Sequence, residues 1–410
     1  TINHDFGFAQ LVSLTSRRIA KGLNRFDSDN TPLTIVHFNT PQDVKTWTQE
    51  LQLLAPTDST VDWTLGAFYF DNKAAYDPAR LIGAPFGGEL DIFGKQHTKS
   101  ASLYGQATMK VLESTAVTVG LRYTDEKQDL TQAVGPPGGM APIPGDSNKF
   151  NKLTWRLAVN QSFTDHVRGY VSYNRGIKSG GFDLLGPGAP PYKPEILDAY
   201  EIGMKSELLD QRIRLNLAAY YYDYQDIQVS SNPQGTIVTN NAASAEVKGL
   251  EAELEFAVTS QLRIYAGANL MEGEYGDYPN PTIFPPSPFD PPVTLANADG
   301  QDMVRSPKFT GNVSINYSLP SAVGTFDLAT SAFHSSKFYW DVDNRLDSPA
   351  YTIYGASVTW HSIDDKLDVK LWGDNLTDKA YLITGVPNGN GDSLQFAAPR
   401  TYGVTLGVHF

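Results

Sequence analysis

The chain closes on RTYGVTLGVHF, a run that alternates strictly. Tyr402, Val404, Leu406, Val408 and Phe410 take one parity; Thr401, Gly403, Thr405, Gly407 and His409 take the other. Side chains of an extended strand point to opposite faces in turn, so the run predicts a strand with one apolar face and one small or polar face. The same period recurs in about sixteen segments from end to end. They begin at QLVSLTSRRIAKGL and pass through VDWTLGAFYF, AVTVGLRYTDEK, AYEIGMKSEL, IRLNLAAYYYDY and VKGLEAELEFAV. In AYEIGMKSEL, Tyr200, Ile202, Met204 and Leu208 oppose Glu201, Gly203, Lys205 and Glu207. In the next segment Ile213, Leu215, Leu217 and Ala219 oppose Arg212, Arg214 and Asn216. Further on, Leu250, Ala252, Leu254 and Phe256 oppose Glu251, Glu253 and Glu255, and Arg263 takes the polar side of the strand after that.

The connections alternate as regularly as the faces. Short ones such as FTDHV, LLDQR and SIDDK interleave with long ones near 27–44, 75–96, 127–151, 177–194, 229–243, 275–307, 339–350 and 378–399. The long ones hold the Pro/Gly clusters, VGPPGGMAPIPGDSN and YPNPTIFPPSPFDPP among them. Short turns at one end and long loops at the other are the rhythm of an up-and-down barrel crossing an outer membrane. The predicted class is therefore all-β: a transmembrane antiparallel barrel, with residues 1–410 as barrel throughout. On this reading the apolar face meets lipid and the charged face lines a wet lumen, with Glu201, Lys205, Glu207, Arg212, Arg214, Glu251, Glu253, Glu255 and Arg263 as wall charges. Glu207 is placed to pair with Arg212 and Arg214. Tyr123, Tyr173, Tyr221 and Phe410 fall near strand ends on the apolar face, where amphipathic rings suit the lipid–water boundary. A soluble sheet with one solvated face explains single strands but not the loop rhythm.

Composition adds exclusions. The 410 residues carry a net charge of −13, which disfavours a nucleic-acid partner. There is no cysteine, so disulfides and thiolate metal sites are excluded. No apolar run is long enough for a transmembrane helix, and no signal segment opens the chain. The seven histidines show no metal-ligand spacing, and His166 and His361 read as solvated turn residues. Acidic runs such as SIDDK suit a solvated turn better than a calcium site. No nucleophile elbow or phosphate loop is present, so no catalytic residue, metal or cofactor is expected, and the chain reads as a non-enzyme. Loop aromatics Tyr192, Tyr278, Phe284, Phe289, Tyr339 and Trp340 are candidate ligand contacts, with loop-on-loop packing as the competing reading.

Five stretches carry a resemblance: YNRGIKSGGFD, YKPEILDAYEIGMKSELLDQRIRLNLAAYYYDYQDIQV, AEVKGLEAELEFAVTSQLRIYAGANLMEGEY, LWGDNLTDKAYL and PRTYGVTLGVHF. In order and spacing they resemble the barrel of TonB-dependent outer-membrane receptors, over essentially the whole chain. The resemblance implies about 22 strands around a plug domain, of which about sixteen are here. It places the plug, the TonB-contacting segment and the first strands ahead of Thr1. It implies active uptake of a scarce ligand, such as a ferric siderophore or similar iron chelate, at the outer membrane of a Gram-negative bacterium. The implied partners are the TonB complex, the lipid bilayer and the barrel-assembly machinery, whose signal the terminal aromatic Phe410 resembles. The alternative is a self-contained 16-stranded porin passing small solutes; a soluble β-rich binding protein or barrel enzyme comes third.

Overall fold

The computed structural model describes residues 1–27, 32, 34–231, 238–241, 244–285, 290, 292–387 and 391–409, apart from the side chains of Ser231 and Val238. Seventeen antiparallel strands form one continuous sheet in chain order. They are β1 (Ile2–Asp5), β2 (Gln10–Asp27), β3 (His37–Leu54), β4 (Val61–Gly83), β5 (Gly88–Leu112) and β6 (Thr115–Gly135). Next come β7 (Ala141–Thr164), β8 (Val167–Lys178), β9 (Glu195–Leu208), β10 (Ile213–Gln225), β11 (Ser244–Ala257) and β12 (Leu262–Tyr275). The last are β13 (Phe309–Ser321), β14 (Gly324–Ser335), β15 (Tyr351–His361), β16 (Leu367–Asp374) and β17 (Thr401–Val408). Each alternating segment falls on one of these strands, VKGLEAELEFAV running one residue past the end of its strand; β1 is a further, four-residue strand. Among the described residues the one helix is a single 3-10 turn, Ala84–Phe86. Each strand hydrogen-bonds its sequence neighbours, and at the two edges β1 pairs with β2 and β17 with β16.

Three expectations about loops need correction. The stretches near 75–96 and 127–151 are mostly strand: β4 runs to Gly83 and β5 starts at Gly88, while β6 runs to Gly135 and β7 starts at Ala141. Likewise β3 begins at His37, inside the stretch expected as loop to residue 44. Three prolines of these stretches sit where the ladder slips. Pro41 lies in the shift between Asn39 and Gln42, and Pro78 in that between Tyr76 and Ala79. Pro144 lies in the shift opposite Leu130 and Gln132. A proline has no N–H to give the ladder, so a bulge is where a strand tolerates it.

The wall is consequently uneven. With 25 residues, β5 extends about 80 Å along its own axis, whereas a tilted span needs about 9–11 residues. The 8-residue β16 and β17 are barely that long. Long connections at the same end make up the height: 179–194, 226–243, 276–308, 336–350 and 375–400.

The apolar face of the sheet is not buried. Leu103 is 68% exposed, Ile202 58%, Leu250 56% and Leu406 69%. A soluble sandwich would bury these side chains at about 25 cal/mol per Å²; here they form a continuous outward surface of the kind that lipid covers. Aromatic rings join across it, with Trp155–Tyr173 centroids 5.9 Å apart, Tyr173–Tyr200 stacked at 4.5 Å and Tyr200–Tyr221 at 6.3 Å. Two clusters of buried side chains pack at the tall end. One cluster joins Ala245, Tyr275, Tyr278, Ala298 and Val342; the other joins Val36, Phe38, Leu81 and Ile92.

Candidate functional site

The polar face carries the predicted wall charges across β9–β12. Register sets Arg214 opposite both Glu207 and Glu255. The guanidinium reaches Glu255 at 3.0 Å and Glu207 at 3.7 Å, and Arg263 reaches the same Glu255 at 3.4 Å. Asn216 donates to Glu253 at 3.1 Å, and the Tyr170 hydroxyl donates to Glu201. These pairs are half exposed, so each contributes no more than about 1 kcal/mol; they keep a hydrated acidic wall from repelling itself. Glu201 and Lys205 meet Arg156, Arg168 and Tyr170 around a concavity of about 590 Å³ on this face. A larger concavity of about 740 Å³ lies mostly among apolar side chains of β7–β13, with Tyr170 and Glu251 also in its lining.

Arg212 departs from the expectation. It belongs to the turn before β10, and its guanidinium donates to the backbone carbonyls of Ala257 and Val258 in the neighbouring turn. Leu209, Asp210 and Gln211 all adopt left-handed backbone angles there, with φ of 52°, 53° and 64°. This tight turn ends the alternation before Arg212, which carries its side chain off the wall.

At the tall end the segment 179–194 folds onto the polar face of β5 and β6. Gln128, 2% exposed, donates to the Gly180 carbonyl at 2.8 Å and to Glu126 at 2.7 Å. Ser179 donates to the other Glu126 oxygen at 3.2 Å. Gln132 donates to the Asp183 carbonyl at 3.1 Å and accepts from the Gly188 N–H at 3.2 Å. The approach requires a glycine at position 94, because a Cβ there would lie 2.5 Å from the Leu184 carbonyl oxygen. Asp183 accepts from the Thr239 hydroxyl at 2.9 Å, and Gln228 donates to the Ser179 and Lys193 carbonyls at 3.0 Å each. Segment 179–194 is thereby joined to the 226–241 connection. None of these polar residues was singled out from sequence. The available signal was a pair of glutamines on the polar parity of one strand, followed some fifty residues later by a Gly–Gly step.

The candidate loop aromatics separate. Tyr192 closes a backbone bridge with Gly181, donating its N–H at 2.9 Å, and burial raises its phenol with the Asp183 charge adding. Tyr278 and Phe284 are 8% and 6% exposed, so they are packing residues of the loop core. Burial pushes the Tyr278 phenol up to about 12. Tyr339 and Trp340 remain partly accessible. Lys337 stands 4.6 Å over the Tyr339 ring and Arg305 5.1 Å over Trp340. Beside them Asp341 accepts from the Leu346 N–H at 2.9 Å, and Arg345 forks onto Asp392 at 2.7 and 2.8 Å. Burial raises the Asp341 carboxyl, the Asp343 charge adds, and the Leu346 N–H and Arg345 oppose it. Phe289 and Phe410 lie outside the described residues.

The histidines are less isolated than their spacing implied. Strand pairing brings His361 and His409 to the two oxygens of Asp368, each at 2.7 Å, and His361 also reaches Asp327 at 3.1 Å. Asp327, His361 and Asp368 come from β14, β15 and β16, and His409 directly follows β17, a proximity invisible to local spacing. Among the described residues no set of three or more acids and histidines is arranged to hold a metal.

Known proteins share this architecture. The family profile described as TonB dependent receptor-like, beta-barrel matches residues 1–376. The pesticin receptor of Yersinia enterocolitica is 23% identical over 379 residues, covering 91% of this chain and 53% of the receptor. The ferrichrome outer membrane transporter/phage receptor of Escherichia coli K12 is 22% identical, covering 87% of this chain and 43% of the transporter. Among solved structures, the ferric yersiniabactin uptake receptor FyuA of Yersinia pestis superposes with a TM-score of 0.81 at 20% identity, over 98% of this chain and 58% of FyuA. The chain spans about half the length of the curated relatives it matches. On its profile match and its fold, it belongs to the TonB-dependent receptor-like β-barrel family.

Proposed function

We propose that this chain is the C-terminal part of the barrel of a TonB-dependent outer-membrane receptor that imports a ferric siderophore or a similar iron chelate. The carrying observation is the two-faced sheet: an exposed apolar face outside, a charged face inside, and tall interlocked connections at one end only. Relatives described as pesticin, ferrichrome and siderophore receptors support the ligand class. Upstream strands would join the β1 edge and close the wall on β17, since an unpaired edge in hydrocarbon leaves backbone groups unsatisfied. A plug preceding them would fill the polar lumen, contact TonB and meet the ligand together with the loops. The barrel-assembly machinery would read the terminal strand, and Tyr339 and Trp340 are the loop aromatics best placed for ligand. The test is uptake of iron-55-labelled chelates by cells expressing the natural-length gene product. Uptake abolished by deleting TonB supports the reading; uptake indifferent to TonB contradicts it. The inward segment 179–194 gives a second reading some footing, because a porin narrows its pore with such a loop. TonB-independent flux of small uncharged solutes through the purified protein would favour that reading.

A further inference from the structure

We infer that the polar face of β5–β9, toward its short turns, holds a subsite for a molecule bearing several carboxylates, and that its occupant is an anionic chelate on its way through the lumen. The concavity of about 590 Å³ there is lined by four cations, Lys110, Arg156, Arg168 and Lys205, against two carboxylates, Glu113 and Glu201. Register keeps the cations apart from acids. Arg168 stands directly opposite Lys205, and the other neighbours of these two across the ladder are Ser162 and Asn216. Arg156 lies between Gly120 and Asn174, and Lys110 faces Ala116. Directly opposed like charges destabilise a sheet, and an anion bound between Arg168 and Lys205 relieves that repulsion. The carboxylates nearby are otherwise engaged. Glu201 accepts from the Tyr170 hydroxyl, and Glu207, two residues along from Lys205, takes Arg214 at 3.7 Å. Glu113 belongs to the short turn between β5 and β6. Among the described residues none of the four cations forms an ion pair, and all four are exposed. Arg156 is oriented by donating to the Asn174 side-chain oxygen at 3.3 Å, and Asn174 donates on to Ser172 at 3.3 Å.

The adjoining sector of the same face is built the other way. On β10–β12 both Arg214 and Arg263 reach Glu255, at 3.0 and 3.4 Å. A chain of net charge −13 thus pairs its arginines there and leaves four cations unmatched around one recess. The size of the recess narrows the occupant. Its volume falls within the range of about 300–1,000 Å³ typical of small-molecule sites, and a lone phosphate would leave most of it empty. The chemistry narrows it further. Two guanidinium forks match the geometry of carboxylates, and two ammonium groups add charge without fixing direction. The complement is a compact body with several free carboxylates around it, which describes an acidic metal chelate.

The inference rests on the polar face lining the lumen of an import barrel, and adds the charge class of the ligand to that reading. The natural-length protein in bilayers would be treated with pyridoxal 5′-phosphate and borohydride, an anionic lysine label, and in parallel with acetic anhydride, a neutral one. Mass spectrometry then gives the ratio of the two modifications at each lysine. Lys370, on the polar face of β16, is the reference within the same lumen. The ratio at Lys110 and Lys205 should exceed that at Lys370 about tenfold. Citrate, a tricarboxylate, should suppress it at concentrations where inorganic phosphate does not. In R156Q/R168Q, checked for the heat-resistant mobility of a folded barrel, the ratio should fall toward that of Lys370. Should that variant not fold, the competition on the wild-type protein decides. Equal ratios at the three lysines overturn the inference, as does an unchanged ratio in folded R156Q/R168Q. So does a Lys205 that neither reagent reaches, because an upstream segment would then cover it. Suppression by phosphate as strong as by citrate, or none by citrate, overturns the assignment to a chelate. Each of these results leaves TonB-dependent uptake standing, whereas uptake indifferent to TonB would sink the import reading and leave the labelling intact.

Discussion

At the residue scale, the side chains that anchor segment 179–194 to the sheet are buried amides. Gln128 bridges Glu126 and Gly180 with almost no exposure, so Gln128→Leu would leave one oxygen of the buried Glu126 carboxylate and the Gly180 carbonyl without that donor. Such a loss costs about 1–3 kcal/mol. Hydrogen exchange should show it as lost protection over residues 179–194, with the strand amides of β9–β12 unchanged. Tyr278 offers a pH test. Its phenol is held at about 12 by burial, against about 10 in an unfolded chain. The folded state therefore keeps its proton longer, and this contribution is whole below about pH 10 and is lost as pH rises toward 12. Tyr278→Phe should flatten the fall in loop-core stability across that window; an unchanged slope would remove Tyr278 from the cause. Sequence showed that these positions were polar or aromatic. It did not show which were buried, because burial there comes from segments fifty residues away in the chain.

At the element scale, alternation was enough to place the strands. Period two holds along β2 to β17 apart from the slips at Asn39/Gln42, Tyr76/Ala79, Lys110/Leu112, Leu130/Gln132 and Ser162/Thr164, because a shift of one residue would turn the whole apolar set to the polar side. The full length of β4–β7 was not legible: Pro78 and Pro144, in stretches that read as loop, sit at slips in a ladder. The two faces predict unequal tolerance. Leu250→Arg sets a cation on the apolar face and should cost about 2–4 kcal/mol near the bilayer midplane. Ala218→Arg, on the polar face beside Glu251, should cost under about 1 kcal/mol. Urea titration of folded, membrane-inserted protein measures both. Equal costs would mean that the faces are not in different solvents.

At the scale of the whole molecule, the central claim is that one face of the sheet meets lipid and the other meets water. The absence of cysteine from these 410 residues makes that directly measurable, since an introduced thiol is unique among them once any cysteine outside them is replaced. Cysteines would be placed singly at Ile202 and Leu250 on the apolar face, and at Glu201 and Glu251 on the polar face, in the natural-length protein inserted in bilayers. Each would be labelled with a fluorophore after folding and exposed to brominated lipid or to a water-soluble quencher. Labels at 202 and 250 should be quenched by brominated lipid and not from water, with labels at 201 and 251 the reverse. Quenching from water at all four positions would contradict the claim and return the chain to a soluble β-sheet.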